Sequence, residues 1–185
     1  MTDGRPLILL RTRVNGREHE LEIEPRETLA EVLRERLFLT GVKVSCDVQV
    51  CGACTVLVDG KPVSACTYLA YEIRDRDVLT IEGLAYSADR LHPLQEAFLD
   101  EYAFQCGFCT PGMILAAKSL LDERPQASEA EIIYYMDGNL CRCTGYHPIV
   151  AAIKRAQAAL LELPPDPIAA ADPRPPNAGR ARAGD

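Results

Sequence analysis

Several features that would assign this sequence to common functional classes are missing from it. No run of lysine and arginine occurs, and 27 acidic residues against 20 basic ones give a net charge of −7. Nucleic acid is therefore not an expected partner, because it selects basic surfaces. No apolar stretch approaches the roughly 20 residues that span a bilayer, and no basic segment followed by an apolar one opens the sequence. We expect no membrane span, no secretion signal and a cytoplasmic location.

Side chains suited to substrate chemistry are also scarce. The sequence has three histidines, of which His19 lies in a predicted surface strand, while His92 and His147 each precede a proline at a predicted helix start. These positions favour local structural roles. No phosphate-binding loop and no dinucleotide-binding glycine pattern occurs. We therefore predict that this chain contributes no catalytic residue.

Eight cysteines in two groups of four are the main chemical feature of the sequence. A disulfide scaffold is disfavoured, because eight cysteines in 185 residues lie below the roughly 8 % typical of such scaffolds and no secretion signal is expected. Structural zinc sites are a second alternative, since one C-x2-C pair would suit them. The C-x4-C and C-x-C spacings are poor matches to zinc motifs. Cysteine sets in cytoplasmic proteins usually bind metal, which we expect here.

The first cysteine group is Cys46, Cys51, Cys54 and Cys66. Its C-x4-C-x2-C spacing with a later fourth cysteine is the plant-type ferredoxin pattern, in which four thiolates hold one [2Fe–2S] cluster. Gly52 lies between the second and third cysteines and has no Cβ, which suits a backbone that passes close to an inorganic core. This group therefore predicts a [2Fe–2S] cluster.

The second cysteine group is Cys106, Cys109, Cys141 and Cys143. Each pair precedes a predicted helix, where free N–H groups and the helix dipole stabilise an anionic group. Residues i and i+2 of an extended segment point the same way, so we expect Cys141 and Cys143 to reach the same metal ion. The spacing indicates a four-thiolate site and is compatible with zinc as well as with iron–sulfur.

Residues 5–82 have the element order of a β-grasp ferredoxin domain. Asn15-Gly16 is a type I′ hairpin turn signal between two alternating strands. A capping box at Thr28 opens an amphipathic helix, which we expect to end at Thr40-Gly41, just before the cysteine loop. The strands are predicted at residues 7–14, 21–23, 55–58, 63–66 and 78–81.

Residues 84–163 are predicted to form a helical-bundle domain, so that the fold class is α+β. Apolar residues recur at helical spacing in four segments, with Thr110 as the N-cap of one helix and Ser128 opening another through a capping box. Residues 164–185 are rich in proline and alanine and have no periodicity. We expect this tail to be disordered or to pack on a partner.

Three segments carry a more specific signature: Cys-Gly-Ala-Cys-Thr at 51–55, Gln-Cys-Gly-Phe-Cys-Thr-Pro-Gly at 105–112 and Gly-Asn-Leu-Cys-Arg-Cys-Thr-Gly-Tyr at 138–146. In this order they resemble the iron–sulfur subunit of the xanthine dehydrogenase family of molybdenum hydroxylases, which includes carbon monoxide, aldehyde, nicotine and N-heteroaromatic dehydrogenases. The resemblance covers about residues 5–160. Ser45 departs from it, since many relatives have glycine there.

The resemblance implies that both cysteine groups ligate [2Fe–2S] clusters. The cluster of the first group would lie nearer a flavin, and that of the second group beside molybdopterin, which the amide of Gln105 would contact. Electrons would pass from molybdopterin in a large subunit through both clusters to FAD in a medium subunit, as in a heterotrimer.

Two other functions stay open at this point. The same relay could deliver electrons to a cytochrome acceptor, and in such complexes the small subunit can be exported with a partner. A free-standing two-cluster electron carrier is the alternative from another functional class.

Overall fold

The chain begins with a β-hairpin in the computed structural model, which describes residues 6–168. Strands β1 (Ile8–Val14) and β2 (Arg17–Ile23) pair antiparallel. Asn15 and Gly16 connect them with φ values of 50° and 75°. Left-handed φ at both central positions is what a type I′ turn requires, which confirms the predicted turn.

A mixed five-stranded sheet extends from this hairpin. It also contains β3 (Thr55–Val58), β4 (Lys61–Ser64) and β5 (Asp77–Leu79), in the order β2-β1-β5-β3-β4. Strand β5 is parallel to β1 and antiparallel to β3, so it joins the two hairpins into one sheet. The sheet and the helix packed on it form the predicted ferredoxin-type domain.

A short helix lies between β2 and the cysteine loop. Helix α1 (Leu29–Glu31) has Thr28 as its N-cap, and the reciprocal bonds between Thr28 and Glu31 form the predicted capping box. A π-helical turn, Val32–Arg36, continues it. Its apolar face packs on the sheet to form the first core, whose members include Leu10, Val14, Ile23, Leu29, Val32, Leu33, Val56, Val58, Ile73 and Val78.

The predicted helix end at Thr40-Gly41 is wrong. The helical turn stops at Arg36, and Phe38 then reverses the chain with a φ of 56°. Gly41 serves a different purpose, because a Cβ at this position would lie 2.3 Å from Cγ2 of Ile81. The glycine that suggested a helix cap is required for close packing against a distant segment.

Four α-helices follow the sheet in the described chain: α2 (Pro93–Asp100), α3 (Thr110–Glu123), α4 (Glu129–Met136) and α5 (His147–Glu162). No helix within residues 6–168 is long and apolar enough to cross a membrane. The helices surround a second core, whose members include Leu94, Phe98, Met113, Leu115, Leu120, Ile132, Met136, Ile149 and Ile153.

Capping residues were predicted for two of these helices, and one prediction is confirmed while the other is wrong. Ser128 caps α4 through the expected capping box with Glu131. Thr110 is not the N-cap of α3, since Cys109 occupies that position and Thr110 is already helical. The chain enters the helix one residue early because Gly107, with a φ of 76°, turns it so that the Thr110 N–H donates to the Gly107 carbonyl at 3.3 Å.

Strand β3 joins the two domains. Val56 and Val58 face the first core, whereas Leu57 faces the second core. The hydroxyl of Ser119 in α3 also donates to the carbonyl of Gly60, at 3.0 Å. The helices therefore pack directly on one face of the sheet.

The chain beyond α5 folds back on the helices. The Asp166 carboxylate lies 2.9 Å from Nζ of Lys118 and 2.9 Å from Nε2 of His92, and Ile168 packs against the second core. Asp166 and Ile168, which lie in the predicted tail of residues 164–185, thus contact this chain itself. The remainder of that predicted tail, residues 169–185, lies outside the described residues.

Candidate metal centres

The first cysteine group lies in and beside the loop between α1 and β3. Asp47, Gln49 and Gly52 all have left-handed φ values, of 58°, 60° and 68°. Alternation of left-handed with right-handed or extended residues curls a backbone so that successive N–H groups face inward. The loop thus forms a concave N–H surface around its cysteines.

These N–H groups contact a cysteine sulfur. Those of Val50 and Cys51 donate to Sγ of Cys46 at 3.3 and 3.4 Å. Together with the N–H of Val48, they lower the pKa of Cys46 to about 6. Because the thiolate is the form that binds metal, this loop is preorganised for ligation.

Two other cysteines of the first group are less accessible than Cys46 and Cys51. Cys54 and Cys66 are buried, and burial raises the pKa of Cys54 to about 12, with the Cys66 thiol adding to the rise. The Cys51 thiol lies close enough to affect the pKa of both Cys46 and Cys54. These cysteines therefore lie near one another, and their role as ligands of one cluster stays a prediction.

The second cysteine group lies at the N-terminal ends of α3 and α5. Sγ of Cys106 is 3.7 Å from Sγ of Cys143, and both residues are exposed. Burial raises the pKa of Cys109 to about 12, and the adjacent Cys141 thiol adds to the rise. The four thiols again converge. Cysteines of residues 106–109 lie next to cysteines of residues 141–143.

The expectation that Cys141 and Cys143 reach the same metal ion stays a prediction. Sγ of Cys143 lies 3.7 Å from Sγ of Cys106 in the other segment. Residues 142–144 bend, so the alternation of an extended segment, on which the expectation depended, does not hold there.

Cys141 has a further hydrogen-bond donor. The hydroxyl of Thr144 donates to Sγ of Cys141 at 3.2 Å. Burial acts to raise the pKa of Cys141, but the Thr144 hydroxyl and the backbone N–H groups of Cys143 and Thr144 outweigh it and lower that pKa.

Gln105 lies beside the second cysteine group. Its side-chain Nε2 donates to the backbone carbonyl of Cys143 at 3.1 Å, and the residue is exposed. This bond fixes the amide next to the exposed cysteines Cys106 and Cys143.

The loops that carry the two cysteine groups touch each other. The N–H of Leu140 donates to the carbonyl of Cys51 at 2.8 Å, and Nδ2 of Asn139 donates to the carbonyl of Gly52 at 2.9 Å. Asn139 is buried. These bonds place Cys141, the next residue along, close to the loop of the first group.

Three residues of this region were not singled out from the sequence, namely Asn139, Thr144 and Tyr146. The Tyr146 hydroxyl accepts the N–H of Cys141 at 2.9 Å and donates to the carbonyl of Asn139 at 3.4 Å. All three lie in the signature segment 138–146, and their polar side chains around two cysteines were the available signal.

The donor set is the one that a [2Fe–2S] cluster takes. All eight cysteines are free, and within residues 6–168 no three His, Cys, Asp or Glu side chains are arranged to hold one metal ion. Each cysteine group supplies the four thiolates that hold a cluster of two irons.

A buried hydroxyl beside the second group supports the same conclusion. Among the described residues, Thr110 Oγ1 is a buried side-chain oxygen without a hydrogen-bond partner, and it directly follows Cys109. Such a group costs about 1–3 kcal/mol when unsatisfied. The sulfides of a cluster held by Cys109 would be additional hydrogen-bond acceptors near this hydroxyl, which a zinc ion would not supply.

Comparison with protein families divides the chain in two. A model described as a 2Fe-2S iron-sulfur cluster binding domain matches residues 12–80, and a [2Fe-2S] binding domain model matches residues 80–154. Each matched region contains one of the two cysteine groups.

Individual relatives match over most of the chain. The nicotine 6-hydroxylase small subunit of Paenarthrobacter nicotinovorans is 48 % identical over 140 residues, which cover 76 % of this chain and 84 % of the relative. The nicotinate dehydrogenase small FeS subunit of Eubacterium barkeri is 45 % identical over 149 residues, covering 80 % and 94 %. A chain of quinoline 2-oxidoreductase from Pseudomonas putida 86 superposes with a TM-score of 0.80 at 43 % identity, covering 83 % of this chain and 95 % of that one.

Proposed function

This chain belongs to the family of small iron–sulfur subunits of molybdenum hydroxylases, and we propose from this premise its place in the electron path of the complex. It is an electron-transfer subunit of a multi-subunit oxidoreductase. Molybdopterin in a large subunit would take electrons from substrate, and this chain would pass them one at a time to FAD in a medium subunit. Each bound [2Fe–2S] cluster supplies a site that takes up and releases one electron.

We assign one cysteine group to each cluster. The first group, in the region matched by the first cluster-binding model, would hold the flavin-side cluster. The second group would hold the molybdenum-side cluster. The convergence of the four thiols within each group supports this assignment. The ligands are Cys46, Cys51, Cys54 and Cys66 for the former, and Cys106, Cys109, Cys141 and Cys143 for the latter.

One contact carries the proposal that the two centres act in series. The hydrogen bond from Leu140 N–H to the Cys51 carbonyl, 2.8 Å long, links a ligand of one group to the neighbour of Cys141 in the other. An electron can therefore cross between the domains through covalent bonds and one hydrogen bond. A carrier with two independent centres would not need this link.

Exposed apolar residues lie beside each group. Val48 and Val50 are 64 % and 62 % exposed near Cys46, and Phe108 is 44 % exposed between two proposed ligands of the second group. Buried against a partner subunit, these side chains would leave water. We assign the Phe108 face to the molybdenum subunit, where Gln105 would reach molybdopterin, and the valine face to the flavin subunit, with the complex in the cytoplasm.

Purification of the native complex through an affinity tag on this chain tests the proposal. We expect four irons per chain, molybdenum and FAD in the same complex, and two distinct [2Fe–2S] signals in electron paramagnetic resonance (EPR) of the reduced protein. Isolation of the chain without molybdenum would contradict a permanent complex, and haem in place of FAD would contradict the flavin route.

Two cysteine variants assign the signals. Cys106→Ser should abolish the molybdenum-side signal alone and Cys46→Ser the flavin-side signal alone, because each removes one ligand. In Cys106→Ser the FAD spectrum should stay intact, while substrate no longer reduces FAD. Normal substrate-driven reduction of FAD in that variant would refute the assigned route.

A further inference from the structure

Four of the eight cysteines are followed directly by threonine. The pairs are Cys54-Thr55, Cys66-Thr67, Cys109-Thr110 and Cys143-Thr144. Each domain therefore places two hydroxyl groups one residue from a proposed cluster ligand. The atoms that accept hydrogen bonds from these hydroxyls differ between the domains.

In the first domain the hydroxyls donate to oxygen. Thr55 Oγ1 donates to the carbonyl of Gly52 at 2.7 Å, and Thr67 Oγ1 donates to Oε1 of Gln49 at 3.0 Å. Sulfur in this domain receives backbone donors, as the N–H groups on Cys46 show. Removal of either hydroxyl would thus leave the hydrogen bonds to sulfur in place.

In the second domain Thr144 donates to sulfur. Its Oγ1 lies 3.2 Å from Sγ of Cys141 and accepts the backbone N–H of Tyr146, also at 3.2 Å. The hydroxyl thus accepts one hydrogen bond from the backbone and donates its proton to the sulfur.

A hydrogen bond to a ligand sulfur changes the balance between the oxidised and reduced forms of a cluster. Reduction adds one electron and hence one negative charge, which is shared with the ligand sulfurs. A hydroxyl dipole aimed at the sulfur stabilises the more negative form more strongly, and outer ligand contacts of this kind tune metal sites. The bond therefore favours the reduced form.

We propose that Thr144 is a positioning residue that raises the reduction potential of the molybdenum-side cluster. In this step one electron would leave the molybdenum centre and enter the [2Fe–2S] cluster bound by the second cysteine group. No proton is transferred. Thr144 makes that entry more favourable. The proposal rests on the proposed function, because it requires a cluster at this group.

The test is a potentiometric titration of the whole complex with dithionite and redox mediators, followed by the EPR signal of each cluster. Thr144→Val removes the hydroxyl at nearly constant volume. At a fixed solution potential, we expect the ratio of reduced to oxidised molybdenum-side cluster to fall by up to about tenfold, which is about 59 mV for a one-electron couple.

Two matched variants serve as controls. Thr144→Ser keeps the hydroxyl and should retain the potential of the molybdenum-side cluster. Thr67→Val removes an exposed hydroxyl next to a ligand of the other group and should leave both potentials unchanged. The potential of the flavin-side cluster should be unchanged in every variant.

Each other outcome overturns the proposal. An unchanged molybdenum-side potential in Thr144→Val, with four irons per chain, excludes the tuning role. Loss of that cluster in both Thr144→Val and Thr144→Ala assigns the hydroxyl to assembly and not to tuning. Fewer than four irons in the unmodified complex would instead refute the proposed function, so the two failures are distinguishable.

Discussion

At the scale of single residues, Gly52 connects the two metal-binding loops. Its φ is 68°, and a Cβ at this position would lie 2.6 Å from Nδ2 of Asn139 and 2.6 Å from the carbonyl oxygen of Gly138. The sequence suggested Gly52 as a point of close approach to an inorganic core. In the structure the close neighbour is the second domain, which the local motif could not indicate.

Gly52→Ala should therefore destabilise the protein through strain and overlap together. Left-handed backbone costs a residue with a Cβ roughly 1–2 kcal/mol, and displacement of Asn139 and Gly138 adds to this loss. Urea unfolding should show a smaller loss for the control Gly16→Ala, whose φ is 75° but whose Cβ would meet nothing within 4 Å. Equal losses in the two variants would contradict the overlap argument.

The sulfur pairing also belongs to this scale. All eight cysteines were identified from spacing, and their role as cluster ligands stays a prediction. The proximity of Cys143 to Cys106 was not predictable, because it depends on the bend at residues 142–144 and on the position of α3. Spacing specifies which residues can converge, and packing specifies which two meet.

At the scale of elements, the segment after α5 is fixed by one carboxylate. Asp166 accepts hydrogen bonds from the buried side chains of Lys118 and His92 and from the N–H of Ile168. Nδ1 of His92 accepts the N–H of Leu94, so Nε2 carries the proton that faces Asp166. Burial acts to raise the pKa of Asp166, but these donors outweigh it and hold that pKa below its usual value.

This arrangement predicts a pH-dependent contribution to stability. Because the pKa of Asp166 is lowered in the folded state, its stabilising effect is complete above the unfolded value of about 3.9 and is lost as the pH falls toward the folded value. Asp166→Asn should lower the free energy of unfolding at pH 7 by about 1.5–3 kcal/mol, the range for hydrogen bonds to charged groups. It should also flatten the decline in stability below pH 4.

Asp122 provides the matched control, since it also contacts Nζ of Lys118. Burial raises the pKa of Asp122, so its charged form is less favoured in the fold. Asp122→Asn should therefore cost less at pH 7 than Asp166→Asn in urea unfolding measured from pH 3 to pH 8. A larger loss for Asp122→Asn would show that the donors do not favour Asp166 as argued.

Residues 164–185 were predicted to be disordered or packed on a partner, because this proline- and alanine-rich segment has no periodicity. Asp166 nevertheless contacts the buried side chains of Lys118 in α3 and of His92 at the start of α2. Neither residue is near Asp166 in the sequence. The interaction could not be read from local pattern.

At the scale of the whole molecule, buried and exposed contacts join the two domains, and they contribute unequally to the free energy of unfolding. Asn139 is buried and bonds the carbonyl of Gly52, with Thr55 Oγ1 3.4 Å from the same amide nitrogen. Lys61 and Glu123 form a pair across the domains at 3.4 Å, with both side chains at least half exposed. Exposed pairs contribute about 0–1 kcal/mol, whereas loss of a buried partner costs about 1–3 kcal/mol.

Asn139→Ala should consequently weaken the connection between the domains more than Lys61→Ala does. We expect denaturation followed by visible cluster absorbance and by far-ultraviolet circular dichroism to give coincident transitions in the unmodified chain. In Asn139→Ala the two transitions should separate, because the domains no longer unfold together. Coincident transitions in Asn139→Ala, or a greater effect of Lys61→Ala, would contradict the conclusion that the buried contact of Asn139 joins the domains more strongly than the exposed ion pair does.

The sequence by itself determined the features that depend on covalent neighbours. The cysteine spacings, the turn at Asn15-Gly16 and the capping boxes at Thr28 and Ser128 need only a few adjacent residues. For this reason the two domains and the family could be identified without coordinates.

Only the tertiary structure decided how these parts meet. Asn139 and Gly52 lie 87 positions apart, yet their bond brings the two cysteine loops together. The sulfur pairs, the anchoring of Asp166 and the packing role of Gly41 are decided in the same way. Such contacts arise when helices and sheet pack to bury their apolar faces, and the relative position of distant segments then follows from the fit of the whole core.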